Sequence, residues 1–142
     1  MVVKTKSIYD PKEDGDGLRI LITGFYPRGI RKDQFDIWMR ELSPNNDLLM
    51  EYKKGNYSWN VFREIFLYTV ANNIDSLEKI YTLHEQSVDK DITLLCYGKE
   101  EDPCYSYLMR DLIETPFLLN DFFESESIDN RETRSIKKLV PF

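Results

Sequence analysis

Arg28, Gly29, Arg31 and Lys32 concentrate basic charge and backbone freedom just after the apolar run 18–22. A proline-arginine-glycine turn between a buried strand and a helix offers free backbone N–H groups, a positive helix end and guanidinium forks, a combination suited to phosphate or carboxylate. The same residues fit a plainer role, with Arg28 bonded to backbone carbonyls or a nearby acid to hold the loop while Arg31 and Lys32 stay solvated. Upstream, Ile8-Tyr9-Asp10-Pro11 would let Asp10 bond loop amides and position Tyr9 beside that loop. Asp10, Asp14 and Asp16 lack the closing bidentate glutamate of a calcium loop, so their turn reads as a solvated acidic one.

The second candidate is sulfur. Asp102 as an N-cap with Pro103 at the first helical position would put Cys104 in the first turn of a helix, where the dipole favours a thiolate. Cys104 is the candidate nucleophile; an inert, half-buried cysteine is the alternative. Cys104 and Arg110 satisfy a bare Cys-x5-Arg count, but Tyr107, Leu108 and Met109 read as continuous helix, which carries Arg110 away from the sulfur and excludes a phosphatase loop. Cys96 ends a buried strand, close enough in the chain for the two cysteines to form a regulatory disulfide. A closed zinc site needs about four ligands. The single histidine, His84, lies in a helical apolar stripe, so no metal site and no cofactor are expected. No Ser-His-Asp set, Walker loop or dinucleotide fingerprint is present, and acid–base chemistry would fall to carboxylates, tyrosine or cysteine.

These residues need a scaffold, and 142 residues with 42% hydrophobic and 13% aromatic content supply one core of single-domain size. A formal net charge of -6 speaks against a basic nucleic-acid-binding face. Two cysteines do not make a disulfide-stapled secreted fold, the N-terminus lacks a signal-peptide pattern, and no segment reaches membrane-spanning length, so the chain reads as cytoplasmic.

Alternation over residues 2–7 predicts an edge strand, 18–22 a short buried strand, and 23–30 a loop. From Arg31 the spacing of Phe35, Trp38, Met39 and Leu42 predicts a helix, ended at Ser43. Pro44 could open the next helix, through Leu48 and Leu49. Ser58 caps a helix burying Trp59, Phe62, Ile65, Phe66 and Val70. Asp75-Ser76-Leu77-Glu78 resembles a capping box opening a helix with Leu77, Ile80, Tyr81 and His84. Residues 92–97 form a second buried strand, and Pro116 closes the last helix. Strands separated by helices imply an α/β fold, a small mainly parallel sheet flanked by helices in a single compact domain. The loops after Ile22 and Tyr97 should then open on one edge of that sheet.

Ile8-Tyr9-Asp10-Pro11, the 17–20 segment, Tyr26-Pro27-Arg28-Gly29-Ile30, Trp38, and Leu94-Leu95 followed by Lys99 together resemble the YeaO-like family, domain of unknown function 488. The resemblance implies a compact α/β domain over residues 1–115, leaving 116–142 as a C-terminal extension packing on it, and it gives Lys99 a place in a family site opposite Arg28. Within the extension, residues 124–129 are acidic and Leu139-Val140 could dock as a final strand. Relatives carry arginine where Ser7 stands and an Asp-Arg pair where Thr23 and Gly24 stand. One branch has Cys-His-Arg where this chain reads Cys104-Tyr105-Ser106, and the resemblance of Cys96 is to that branch too.

Two functions follow as expectations. One is binding of a small anionic ligand, phosphate or nucleotide, by Arg28, Gly29, Arg31, Lys99, Tyr9 and Asp10, with Cys104 as an optional nucleophile. The other is a non-enzymatic interaction module with a degenerate family site, its cleft plugged by Tyr105, working through the aromatic region after Pro116 with a protein partner or a second copy.

Overall fold

A computed structural model describes residues 2–98 and 104–123. Its sheet has four parallel strands: β1 (Val3–Ser7), β2 (Leu18–Leu21), β3 (Ile37–Trp38) and β4 (Ile92–Cys96), in the spatial order β1-β4-β2-β3. β4 is central and covered on both faces, which is why all five of its residues are buried and why it reads as an unbroken apolar run. β1, at one edge, keeps Lys4, Thr5 and Lys6 half-buried between two buried ends. Val3 and Leu18 both register with Ile92, so the strand ends align and their C-terminal loops emerge side by side. Gly17 makes the start of β2 possible. Its φ is +65°, and a Cβ there would lie 2.1 Å from the Asp91 carbonyl oxygen.

The described residues also form four α-helices: α1 (Asn46–Lys53), α2 (Trp59–Ala71), α3 (Ile74–Ser87) and α4 (Tyr105–Glu114). All of them contribute buried side chains to one cluster with Ile20, Ile22, Ile92, Leu94 and Cys96. Ile8, Leu21 and Leu95 form a separate, smaller cluster with Ile30, Phe35 and Trp38, without a helical residue. The α/β fold is therefore two-layered, with helices on one face of the sheet and loops on the other. Phe62 and Phe66 are at most 1% exposed. Each such burial contributes on the order of 2–3 kcal/mol. The chain beyond Pro116 begins with a 3-10 segment, Pro116–Phe122, that buries Leu119 and is tied to α2 where the Asn72 amide donates to the Phe122 carbonyl at 2.9 Å.

The predicted helix from Arg31 is not present. Residues 31–42 instead form a 3-10 turn (Lys32–Gln34), the strand β3 and a second 3-10 turn (Arg40–Leu42). The open edge of β2 explains the difference: the Asp36 and Met39 amides donate to the Arg19 and Leu21 carbonyls, both at 2.8 Å, which a helix would have left without these partners. Helix starts also shift. Asn45, not the residue before Pro44, caps α1, and Asn73 caps α3 ahead of the Asp75 box. Cys104 itself occupies the N-cap of α4, one position before the first turn. The Asp102-Pro103 cap, Lys99, the acidic stretch 124–129 and the final strand at Leu139-Val140 lie outside the described residues. Among the described residues, no helix is long and apolar enough to cross a membrane.

Candidate functional site

β2 and β4 are adjacent and parallel, so the loops after them meet at one end of the sheet. The Tyr97 hydroxyl, just past β4, donates to the Phe25 carbonyl in the loop after β2. Cys96 ends β4 and Cys104 begins α4, which brings the two Sγ atoms to 3.2 Å. The Cys104 thiol falls to about 6: the Cys96 thiol facing it stabilises the thiolate, burial opposes this, and the Ser106 hydroxyl, the Ser106 backbone N–H and the Lys53 ammonium assist. Cys96 moves the other way, pushed up first by the neighbouring Cys104 sulfur and then by burial. These opposite shifts favour the anion on Cys104 and the proton on Cys96.

Above the sulfurs opens a cavity of about 590 Å³, lined among others by Cys104, Tyr105, Tyr52, Trp59 and Lys53. That volume lies in the usual range for small-molecule sites. Tyr52 and Trp59 pack with ring centroids 5.6 Å apart, and Trp59 stacks on Phe62 at 5.5 Å, giving the cavity a rigid aromatic wall. An adjoining cavity of about 370 Å³ is lined by Gly24, Phe25 and Arg40 and shares Lys53, Tyr97 and Tyr105 with the first. Tyr105 does not plug the cleft. Its ring is buried and its hydroxyl donates to the Ile22 carbonyl at 3.0 Å, so it forms a fixed wall between the two cavities.

A family model described as the active DUF488-N3 subclade matches residues 3–116, which span the whole sheet, both cysteines and both cavities. The chain belongs to the DUF488-N3a family. It is also similar to the uncharacterized protein YeaO of Escherichia coli (strain K12), with 26% identity over 117 residues, covering 81% of this chain and 99% of YeaO. No solved structure matches it.

Within this DUF488-N3a domain the predicted site residues separate into two groups. Tyr9 and the Arg28 loop do meet: the Tyr9 hydroxyl donates to the Arg28 carbonyl at 3.1 Å, and Asp10 accepts from the Ser7 amide at 3.1 Å. Gly29 adopts φ +77° in a turn closed by the Ile30 amide and the Pro27 carbonyl at 3.4 Å, which gives the proline-arginine-glycine motif a conformational purpose. Arg28 is exposed, and Arg31 is solvated beside Asp33 at 3.5 Å. Neither lines the two cavities: the first faces Cys104 with Lys53, and the second is lined by Lys53 and Arg40.

Sequence reasoning missed Lys53, Arg40, Tyr52 and the cavity-facing part of Trp59. Trp59 and Tyr52 carried a helical apolar signal that points equally to core, and Lys53 ends an amphipathic helix like many surface lysines. Ser106 supports the Cys104 thiolate by hydrogen bonding from its hydroxyl and its backbone N–H.

Proposed function

We propose that this domain binds a small anionic ligand carrying a flat apolar group, in the cavity over Cys96 and Cys104. The observation that carries this reading is the placement of Lys53 in the lining of both adjoining cavities, between an aromatic wall and a thiol held as its anion. The apolar part of the ligand would lie against Tyr52 and Trp59. Its anionic group would meet Lys53 and, in the second cavity, Arg40, whose Nε also donates to the Gly24 carbonyl at 3.1 Å. Cys104 is then the nucleophile within reach of the bound molecule. The loop containing Arg28, Gly29 and Arg31 begins with the Gly24-Phe25 lining of the second cavity, which makes it an outer rim of the site.

Phenyl phosphate is the probe. Titrated at millimolar concentration, it should shift the amide signals of Tyr97, Tyr105 and Ser106, and Lys53→Ala should weaken binding by about tenfold or more, the usual worth of one charge-assisted hydrogen bond. Arg28→Ala should change the affinity by less than about threefold, as expected of a rim charge. Signals that do not move at saturating probe would remove the ligand-binding reading. The interaction module would then stand, with the exposed Phe117 and Leu118 as its surface.

A further inference from the structure

We propose that Cys104 and Cys96 form a thiol redox centre that reduces an organic hydroperoxide, with Cys104 as the attacking sulfur and Cys96 as the resolving one. The proposal stands on geometry. The sulfurs are 3.2 Å apart across a strand end and a helix start, so a disulfide of about 2.05 Å requires the two Sγ atoms to close by only about 1 Å. Both sulfurs line the large cavity, but Cys104 is only half-buried whereas Cys96 is 4% exposed, so an oxidant arriving through the cavity meets Cys104 first. The charge asymmetry of the pair matches these roles, because Cys104 is held as thiolate while Cys96 keeps its proton.

Each sulfur has the other as its nearest sulfur partner, with the Ser106 hydroxyl beside both. The cavity wall of Tyr52, Trp59 and Phe62 selects the oxidant class: a hydroperoxide with an aryl or branched alkyl group has apolar surface to bury against it, and hydrogen peroxide has none.

The chemistry balances in two steps. The Cys104 thiolate attacks the terminal oxygen of R–O–OH, the O–O bond breaks, and an S–OH bond is left on Cys104 while the departing alkoxide takes a proton from water to become ROH. The Cys96 sulfur then attacks the Cys104 sulfur, its proton leaves with the displaced hydroxide as water, and the disulfide forms. Two electrons pass from the sulfur pair to the peroxide, and a dithiol reductant restores the thiols. This activity shares the cavity with the proposed anion site but requires no bound anion, so failure of phenyl phosphate to bind leaves the thiol measurements informative.

The test treats the reduced full chain with stoichiometric cumene hydroperoxide and, in parallel, hydrogen peroxide. Expected are loss of both free thiols, a mass lower by two hydrogens, reversal by dithiothreitol, and a rate about tenfold higher for cumene hydroperoxide because its ring is buried on binding. Cys96→Ser should stop at a sulfenic acid trapped by dimedone on Cys104, and Cys104→Ser should consume no peroxide. Retention of both thiols in the unmutated chain under excess cumene hydroperoxide overturns the proposal, whatever the variants do. Equal rates for the two peroxides overturn the substrate class, and oxidation of Cys104→Ser at the unmutated rate overturns the assignment of the attacking sulfur.

Discussion

Cys104 owes its acidity chiefly to a second thiol. The Cys96 S–H facing it is the largest stabiliser of the thiolate, ahead of the Ser106 groups at the start of α4 and the Lys53 charge. Alkylation by iodoacetamide should therefore follow a titration with its midpoint near pH 6, the reactive form being lost as pH falls below that value. Cys96→Ala removes the donor and should move the midpoint up toward that of an ordinary thiol near 8.5. A midpoint that stays put would assign the acidity to the helix start alone. The position of Cys104 near a helix N-terminus is readable from the chain, since Asp102-Pro103 announces a helix. Its pairing with Cys96 depends on how far the strand end and the helix start diverge in space, which spacing leaves open. Lys53 was beyond reach for the same reason: only the folded arrangement of α1 and α2 brings it into one cavity with the sulfurs.

At the scale of elements, helix starts discriminate between local and tertiary signals. The Asn73 side chain accepts from the Asp75 and Ser76 amides at 3.0 and 3.1 Å, whereas Asp75 lies in the first turn. Urea unfolding should show Asn73→Ala costing about 1 kcal/mol, the usual worth of an N-cap. Asp75→Ala should cost only a few tenths to 1 kcal/mol through the helix dipole. The reverse order would restore Asp75 as the cap. Both buried strands, the edge strand and the α2 cap at Ser58 are legible, because hydrophobic runs and capping residues agree there. Residues 31–42 are not: Phe35, Trp38, Met39 and Leu42 satisfy a helical period, yet the unpaired edge of β2 captures Ile37–Trp38 as a short strand. Trp38 is fixed further when its indole N–H donates to the Thr23 carbonyl at 2.7 Å. Periodicity records which side chains are buried; it does not record which backbone needs a neighbour.

Across the whole molecule, the helix-free face of the sheet is held by charge as well as by its small apolar cluster. Asp16, 4% exposed, accepts from the Glu13 amide and from Lys6 at 3.1 Å each and pairs with the buried Arg19, which also donates to the Gln34 carbonyl at 2.8 Å. Burial pushes the Asp16 carboxyl up, but the Glu13 amide, Lys6 and Arg19 outweigh it and hold the group below the ordinary carboxylate value. A carboxyl more acidic in the folded than in the unfolded chain stabilises above its unfolded value near 3.8, and this contribution is lost as pH falls through the folded one. Asp16→Ala should destabilise the domain at neutral pH by about 3 kcal/mol, since it leaves Arg19 buried without its carboxylate. It should also flatten the acid limb of a stability–pH curve. An unchanged urea midpoint at pH 7 would show the pair to be dispensable. The strand order has a bearing on biosynthesis. β1 and β2 are made early, yet each pairs with β4, whose residues are synthesised some seventy positions after β2. Neither β1 nor β2 can gain its β4 partner until the segment around Leu94 has been made, so the sheet can be completed only late in synthesis.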